Sequence, residues 1–312
     1  MEDKLCFVQF MHPGGEHMPD TRGPRNATMP TGSGWMVGDV KSWNAGDHKR
    51  TFMVNQGRYL ADDDVHGGQI VFWGEWEPEA KVRQTNPWVN HLPRHLFSPY
   101  YVPLQPTEWR QNTDPFVFGD RFLYSCCRQF IGEQETQLRY LSKGSVILLG
   151  SCMDKQEFVL DTVFVVADWI DYHPNSEASL SGHISHTFKE VTIDRIAAGS
   201  KTPRLPHRLY VGATYDAPYE EMYSYVPCLP YEADKPGFAR PRIQLPGRIT
   251  DNLLMGKKLN PQADIAVVKD LWDSVYAQVL DHQLMIGLAT DLPARRDAPN
   301  APNGTGQAPG SC

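Results

Sequence analysis

Two apolar, β-branched runs within residues 143–172 constrain the fold of this chain more than any other feature. The first reads Lys-Gly-Ser-Val-Ile-Leu-Leu-Gly-Ser, and the second reads Glu-Phe-Val-Leu-Asp-Thr-Val-Phe-Val-Val-Ala-Asp-Trp after a short polar connection. Runs rich in valine, isoleucine and phenylalanine and bounded by glycine are typical of strands that are buried on both faces. We therefore predict a β-hairpin in the core, with strands near residues 145–149 and 158–166.

The other apolar runs extend this hairpin to a sheet-dominated α+β fold. Further strands are predicted at residues 5–10, 51–54, 69–76, 122–129, 209–215 and 222–226. Long irregular connections join them in place of regular crossover helices, which favours a largely antiparallel, curled sheet with peripheral helices. Residues 134–141 predict a short helix, and residues 183–198 predict either one helix or a strand followed by a helix.

The clearest helix is the last one, and it is amphipathic. Its apolar stripe recurs at three- and four-residue steps and consists of Val268, Leu271, Trp272, Val275 and Val279. Asn260 suits the N-cap, Pro261 suits the first helical position and Gly287 suits the end.

The composition and the net charge limit the number of domains and the class of partner. The 312 residues are 41% hydrophobic, and we expect residues 1–290 to form one compact α+β domain. Pro, Ala, Gly, Asn and Ser dominate residues 291–312, which predicts a disordered tail. The net charge of −7 argues against bulk neutralisation of nucleic-acid phosphates, although a local basic cleft stays open. The sequence contains no run of about 18 apolar residues, so we predict no membrane span.

Cysteine usage and the opening residues predict a cytoplasmic protein with reduced thiols. None of the six cysteines has CxxC spacing, and the initial Met-Glu-Asp-Lys leads directly into a strand without a secretory leader. Asp62, Asp63 and Asp64 predict a solvated turn, because three adjacent carboxylates lack the spacing of a metal site. We therefore predict no metal site and leave the cofactor open.

Two polar clusters at the ends of predicted strands are candidates for catalysis. One follows the strand at residues 5–10 and the other precedes the strand at residues 51–54. Imidazole groups act as general bases near neutral pH, and Lys or Arg stabilises developing negative charge. The candidate catalytic residues are His12, Glu16 and His17 in the first cluster, and His48, Lys49 and Arg50 in the second. The alternative is a hydrogen-bonded turn and a solvated surface.

Aromatic and polar side chains elsewhere are candidates for ligand binding. Aromatic rings in loops beside polar groups offer a surface on which a flat base can stack. The candidates for stacking are Trp73, Trp76, Phe116, Phe118 and Tyr124, and the candidates for reading polar edges are Asp114 and Gln129. Glu75 alternates with Glu77 and Glu79, so their carboxylates share one face of an extended segment. Core packing and an exposed charged edge are the structural alternatives.

The hairpin and the short helix before it carry a family resemblance. Over residues 114–172 the chain resembles the central strands of PUA-like barrels, the superfamily that contains the ASCH, EVE and YTH modules. It also resembles bacterial and phage proteins grouped as nucleotide-modification-associated domains. The resemblance implies a PUA-like β-barrel that binds a nucleobase or modified nucleotide in an aromatic-lined pocket.

Three functions follow from these patterns. The first is a nucleotide- or nucleobase-binding protein associated with modification of nucleic acid in a bacterial or phage context. The second is an enzyme that acts on a nucleotide or nucleic acid with a histidine general base. The third is a structural or partner-binding protein without a ligand.

Overall fold

Strands account for most of the regular structure, as the sequence predicts for a sheet-dominated α+β fold. The computed structural model describes residues 2–11, 36–37, 40–41, 50–78, 80–84, 95–101, 113–152, 157–199, 205–233, 237–245, 256–262 and 264–296. Elements are numbered along the chain. Within the described residues, every strand pair is antiparallel except β1 (Cys6–Met11) with β11 (Val146–Cys152), β4 (Arg50–Ala61) with β7 (His95–Tyr101), and β7 with β18 (Ala294–Arg295). The expected largely antiparallel arrangement is therefore confirmed.

The first sheet contains the predicted hairpin at its centre. Its strand order is β16-β1-β11-β12-β13-β8, and β15 pairs with β12. The strands are β1 (Cys6–Met11), β8 (Leu123–Tyr124), β11 (Val146–Cys152), β12 (Glu157–Tyr172), β13 (His207–Gly212), β15 (Arg242–Gln244) and β16 (Gly256–Pro261).

The hairpin β11–β12 lies between two apolar cores, so the prediction of strands buried on both faces is confirmed. Ile147 and Phe164 are partners that face one core, whereas Leu148 and Val163 are partners that face the other. The register shifts between Leu149 and Gly150, which leaves one extra residue in β12. A bulge of this kind re-aims a side chain.

The second sheet curls until part of it closes. Its order is β17-β14-β5-β4-β7-β6-β3-β2, β17 also pairs with β4, and β18 pairs with β7. Strands β4, β5, β14 and β17 therefore form a closed ring. The strands are β2 (Met36–Val37), β3 (Val40–Lys41), β4 (Arg50–Ala61), β5 (Asp64–Glu75), β6 (Ala80–Gln84), β7 (His95–Tyr101), β14 (Val226–Pro230), β17 (Met285–Thr290) and β18 (Ala294–Arg295). A separate ribbon pairs β9 (Phe130–Ile131) with β10 (Gln134–Glu135).

Helices are few among the described residues, and all but the last are short. They are α1 (His186–Phe188), a π-helical turn (Lys189–Ile193), α2 (Asp194–Gly199), α3 (Ile265–Asp281) and 3₁₀ turns at Gln137–Arg139 and Glu177–Leu180. The continuous helical segment from α1 to α2 confirms the one-helix prediction for residues 183–198. Within the described ranges, no helix has both the length and the apolar character to cross a membrane.

Several element boundaries differ from prediction. The last helix ends at Asp281, and Gly287, which was predicted to end it, lies in β17. Asn260 and Pro261 belong to β16, where they pair with β1, and Asp264 caps α3 by accepting a 2.9 Å hydrogen bond from the N–H of Ala266. Residues 134–141 form β10 and a 3₁₀ turn. The predicted strand at 122–129 is limited to Leu123–Tyr124, because the chain turns immediately afterwards.

The end of the described chain pairs with the sheet. Ala294 and Arg295 of β18 lie beside Tyr100 and Tyr101 of β7, and the N–H of Arg296 donates a 2.8 Å hydrogen bond to the carbonyl of Tyr101. Residues 297–312 lie outside the described residues.

Candidate functional site

A cleft of about 1110 Å³ opens between the ring strands β4 and β17 and two loops, residues 116–123 and 182–185. This volume slightly exceeds the usual range of small-molecule sites, about 300–1,000 Å³. The side chains that decide its chemistry are Arg58, Phe116, Phe118, Arg121, Leu123, His183 and Leu292.

Hydrogen bonds fix the wall formed by residues 116–123. Phe116 and Leu123 exchange backbone hydrogen bonds of 2.8 and 2.9 Å, and the N–H of Gly119 donates a 2.6 Å hydrogen bond to the carbonyl of Thr290. Gly119 has a φ of 84°, a conformation that favours glycine. The Thr290 hydroxyl donates in return to the Val117 carbonyl at 2.9 Å. The loop is therefore clamped to the end of β17.

The innermost part of the cleft is apolar because it borders an aromatic cluster. The ring centroid of Phe118 lies 5.0 Å from Trp76, 5.3 Å from Phe116 and 6.1 Å from Phe72, all in edge-to-face arrangements. Phe116 and Phe118 are buried, as is Leu123. They pack beneath an apolar floor whose accessible side chains are Ile184, Val211 and Leu292.

The exposed side of the cleft carries cationic groups. Arg58 forms a 2.6 Å ion pair with Asp216, and both side chains are about half exposed. Arg121 is exposed and has no ion pair with any residue that the structure describes. Since an exposed ion pair contributes at most about 1 kcal/mol, Arg58 can exchange Asp216 for a ligand anion at little cost. Arg121 and Arg58 can therefore both face an anion at the rim.

Two of the predicted site residues meet in a second place, away from the cleft. Arg50 opens β4 and donates a 2.7 Å hydrogen bond to Glu75 at the end of β5, and it lies 3.5 Å from Asp161 of β12. Asp161 is the extra residue of the β12 bulge and also accepts a hydrogen bond from Arg240. We call Arg50, Glu75, Asp161 and Arg240 the buried ion network. All four side chains are at most 3% exposed.

Charge balance makes this network tolerable in the core. Two guanidinium groups face two carboxylates, and the Arg240 guanidinium also lies 4.1 Å from the Trp73 ring centroid. Burial raises the pKa of Asp161, and the adjacent Arg240 and Arg50 oppose that rise. Trp73, predicted to stack on a base, is covered on one face by Arg240.

A third set of predicted residues engages the backbone of residues 125–129. The Asp114 carboxylate accepts hydrogen bonds from the N–H groups of Ser125, Cys126 and Cys127 at 2.8, 2.8 and 2.7 Å. Tyr124 donates to the Cys127 carbonyl and its ring stacks on Tyr210 at 5.7 Å.

Gln129 extends the same arrangement towards β13. Its side-chain amide donates to the carbonyls of Ser125 and Arg208 at 2.9 and 2.6 Å and accepts from the Arg208 N–H at 3.0 Å. Asp114, Tyr124 and Gln129 thus shape the turn after β8, and none of them lines the cleft. That they read a base remains a prediction.

The sequence-predicted residues therefore divide into separate groups. Phe116 and Phe118 line the cleft and Trp76 packs behind Phe118, whereas Arg50, Trp73 and Glu75 belong to or contact the buried ion network. The remaining catalytic candidates, His12, Glu16, His17, His48 and Lys49, lie outside the described residues, as does Glu79. The histidine general-base hypothesis depends on them and stays a prediction.

Several functional candidates were not identified from the sequence. Arg58, Arg121 and His183 come from three distant segments and show no shared motif. Asp161 did carry a signal, since it interrupts the apolar run Val-Leu-Asp-Thr-Val with a carboxylate. A charge within a strand that is buried on both faces requires a partner.

No protein-family model, curated protein or solved structure matches this chain.

Proposed function

We propose that this protein binds a nucleotide or nucleobase in the cleft. The observation that carries the proposal is the combination of an apolar floor with two arginines at the rim. A base is flat and apolar on its faces, so it gains from contact with the accessible side chains of Ile184, Val211 and Leu292 in the cleft. A phosphate gains from charge-assisted hydrogen bonds to Arg121 and Arg58.

The acidic net charge is compatible with this ligand. Small anions are held by local side chains, whereas long nucleic acids need an extended basic surface. Asp120 and Asp291 also line the cleft and can accept hydrogen bonds from the amino edge of a base. We therefore favour a mononucleotide or a single extruded nucleotide over a duplex.

We also propose that the hairpin β11–β12 belongs to a PUA-like barrel and that the protein is associated with nucleic-acid modification in the cytoplasm of a bacterium or phage-infected cell. The central position of the hairpin in the first sheet supports the first part. Cys6, Cys126, Cys127 and Cys228 form no disulfide, which supports a reducing compartment.

Isothermal titration of the full chain with matched nucleosides and nucleotides tests the proposal. Arg121→Ala should weaken nucleotide binding about tenfold or more, in line with loss of a charge-assisted hydrogen bond, and leave nucleoside binding unchanged. Leu292→Asp places a charge in the cleft at an exposed position and should weaken both ligand classes.

Arg242→Ala is the matched control, because Arg242 is exposed in β15 and does not line the cleft. It should bind as the wild type does. The proposal fails if no nucleoside or nucleotide binds at millimolar concentration, or if Arg121→Ala and Leu292→Asp bind as tightly as Arg242→Ala.

A further inference from the structure

Three metal-ligating side chains converge in the turn after β8. Asp114, Cys126 and Cys127 each place a donor atom within 4.8 Å of the other two, and theirs is the one such group among the residues that the structure describes. We call it the carboxylate–thiol group. We propose that it binds a thiophilic divalent cation of the Zn²⁺ class through two sulfur atoms and one carboxylate oxygen.

Asp114 is a buried carboxylate without a cationic partner. It is fully buried, and in the described part of the chain its hydrogen bonds come from N–H, hydroxyl and thiol groups, not from a Lys, Arg or His side chain. Burial of a lone carboxylate is unfavourable, and a metal ion would supply the missing positive charge.

The hydrogen bonds also leave a coordination position on Asp114. Its Oδ2 accepts two short N–H hydrogen bonds, whereas Oδ1 accepts one from Ser125 N–H and a longer contact of 3.5 Å from the Ser125 hydroxyl. A carboxylate oxygen has two lone-pair sites. The second site of Oδ1 receives only the weak hydroxyl contact from Ser125, and the Cys126 thiol also hydrogen-bonds the carboxylate. A cation between the thiol and the carboxylate would replace the thiol proton.

The chain turn brings adjacent thiols to one side. In a strand, neighbouring side chains point to opposite faces. Cys126 and Cys127 instead follow β8 in a tight turn, in which Gln129 N–H donates to the Cys126 carbonyl at 3.1 Å and Arg128 has a φ of 61°. The Cys126 thiol is hydrogen-bonded to that of Cys127, a contact that together with burial raises its pKa. Bound Zn²⁺ would replace these thiol protons.

Tyr172 supplies an independent indication of a ligand. Its side chain is buried, and its hydroxyl approaches the Ser125 side chain but has no hydrogen bond of good geometry to any described residue. The Ser125 side chain lies between the Tyr172 hydroxyl and Asp114 Oδ1, which it approaches at 3.5 Å, so the phenol borders the carboxylate–thiol group. A buried hydroxyl needs a partner. Water on the fourth position of a tetrahedral Zn²⁺ would provide one.

This site is separate from the cleft. None of Asp114, Cys126, Cys127 and Tyr172 lines the cleft, and the metal proposal stands if nucleotide binding fails. Three protein ligands and one water leave an open coordination position, which is the arrangement of a catalytic zinc rather than a closed structural one.

Metal titration of the chelator-treated full chain tests the inference. We expect one Zn²⁺ per chain in competition with a chromophoric chelator, and Co²⁺ should give sulfur-to-metal charge-transfer bands and the visible bands of a tetrahedral complex. Cys126→Ser and Cys127→Ser should each weaken Zn²⁺ binding by at least about tenfold, the lower limit for changes close to a metal. Cys228→Ser is the control, because Cys228 is buried elsewhere, and it should keep wild-type affinity.

Alkylation of the wild type keeps the inference testable if the serine variants do not fold. Stoichiometric Zn²⁺ should protect Cys126 and Cys127 from a thiol reagent, as read by mass spectrometry of peptides. Tyr172→Phe should alter the visible bands of the Co²⁺ complex. The inference is overturned if the reduced protein binds no Zn²⁺, if folded Cys126→Ser and Cys127→Ser bind as the control does, or if the two thiols form a disulfide but hold no metal when reduced.

Discussion

Arg50 and Glu75 are direct cross-strand partners in β4 and β5, and their side chains meet in a 2.7 Å hydrogen bond inside the core. Arg50 also reaches Asp161 in the first sheet. The pair therefore links the closed ring of the second sheet to the central hairpin of the first. Removing one member of such a network leaves the others charged and unsolvated, which is the costly case for buried ions.

Asp161→Asn should destabilise the protein by about 3–5 kcal/mol, because Arg50 and Arg240 would lose their shared carboxylate. Urea denaturation measures the change in the free energy of unfolding. Asp216→Asn is the matched control, since Asp216 pairs with Arg58 at the surface, and it should change stability by at most about 1 kcal/mol. Equal effects of the two variants would show that the buried ion network does not stabilise the fold.

Val163→Ala and Phe164→Ala test the central hairpin from its two faces. The two side chains are fully buried in different cores, so each substitution should create a cavity and lower the free energy of unfolding by about 2–5 kcal/mol. Val65→Ala, at the exposed end of β5, should change it by less than about 0.5 kcal/mol. If both core variants have the same free energy of unfolding as the wild type, the hairpin does not organise the core.

The hairpin could be predicted because burial on both faces leaves a continuous apolar run in the sequence. A different local pattern, apolar residues at three- and four-residue steps, identified α3. Its start was misplaced because Asn260 and Pro261 have good capping chemistry, yet pairing with β1 holds them in a strand. A local sequence pattern contains no information about a partner strand that is distant in the chain.

Distant pairing also explains what was missed at the candidate sites. Arg50 and Asp161 are 111 positions apart, and the sequence shows each as a charge without showing that they meet. Adjacent cysteines were visible at once. That Asp114 would lie beside them depends on the turn after β8, which was predicted as strand.

Truncation should distinguish the two parts of the C-terminal segment. A chain that ends at Arg296 should unfold as the full chain does, because residues 297–312 lack the apolar periodicity of a buried element. A chain that ends at Thr290 loses the 2.8 Å hydrogen bond from Asp291 N–H to Gln56 and the pairing of β18 with β7. We expect it to be less stable by about 1–3 kcal/mol. Equal melting temperatures for the two truncations would contradict this expectation.

His207 should make stability fall in mild acid. It is buried between Phe130 and Tyr172, and desolvation lowers its pKa from 6.5 to about 4, with nearby Arg139 and His173 acting in the same direction. Between these pH values the unfolded chain binds a proton that the folded chain does not. Stability therefore decreases as pH falls through this window, by about 2–3 kcal/mol from this group.

His207→Asn removes the titrating group and keeps a nitrogen near the Leu205 carbonyl, which His207 Nδ1 approaches at 3.0 Å. Loss of the ring lowers stability at every pH, so the informative quantity is the difference in unfolding free energy between pH 7 and pH 4. Other buried acids titrate equally in the wild type and in the variant, so their contributions cancel when the two differences are compared. We expect the difference to shrink by about 2–3 kcal/mol in His207→Asn and to stay at the wild-type value in the equally destabilised Phe164→Ala. An unchanged difference in His207→Asn would mean that the imidazole is protonated in the folded protein.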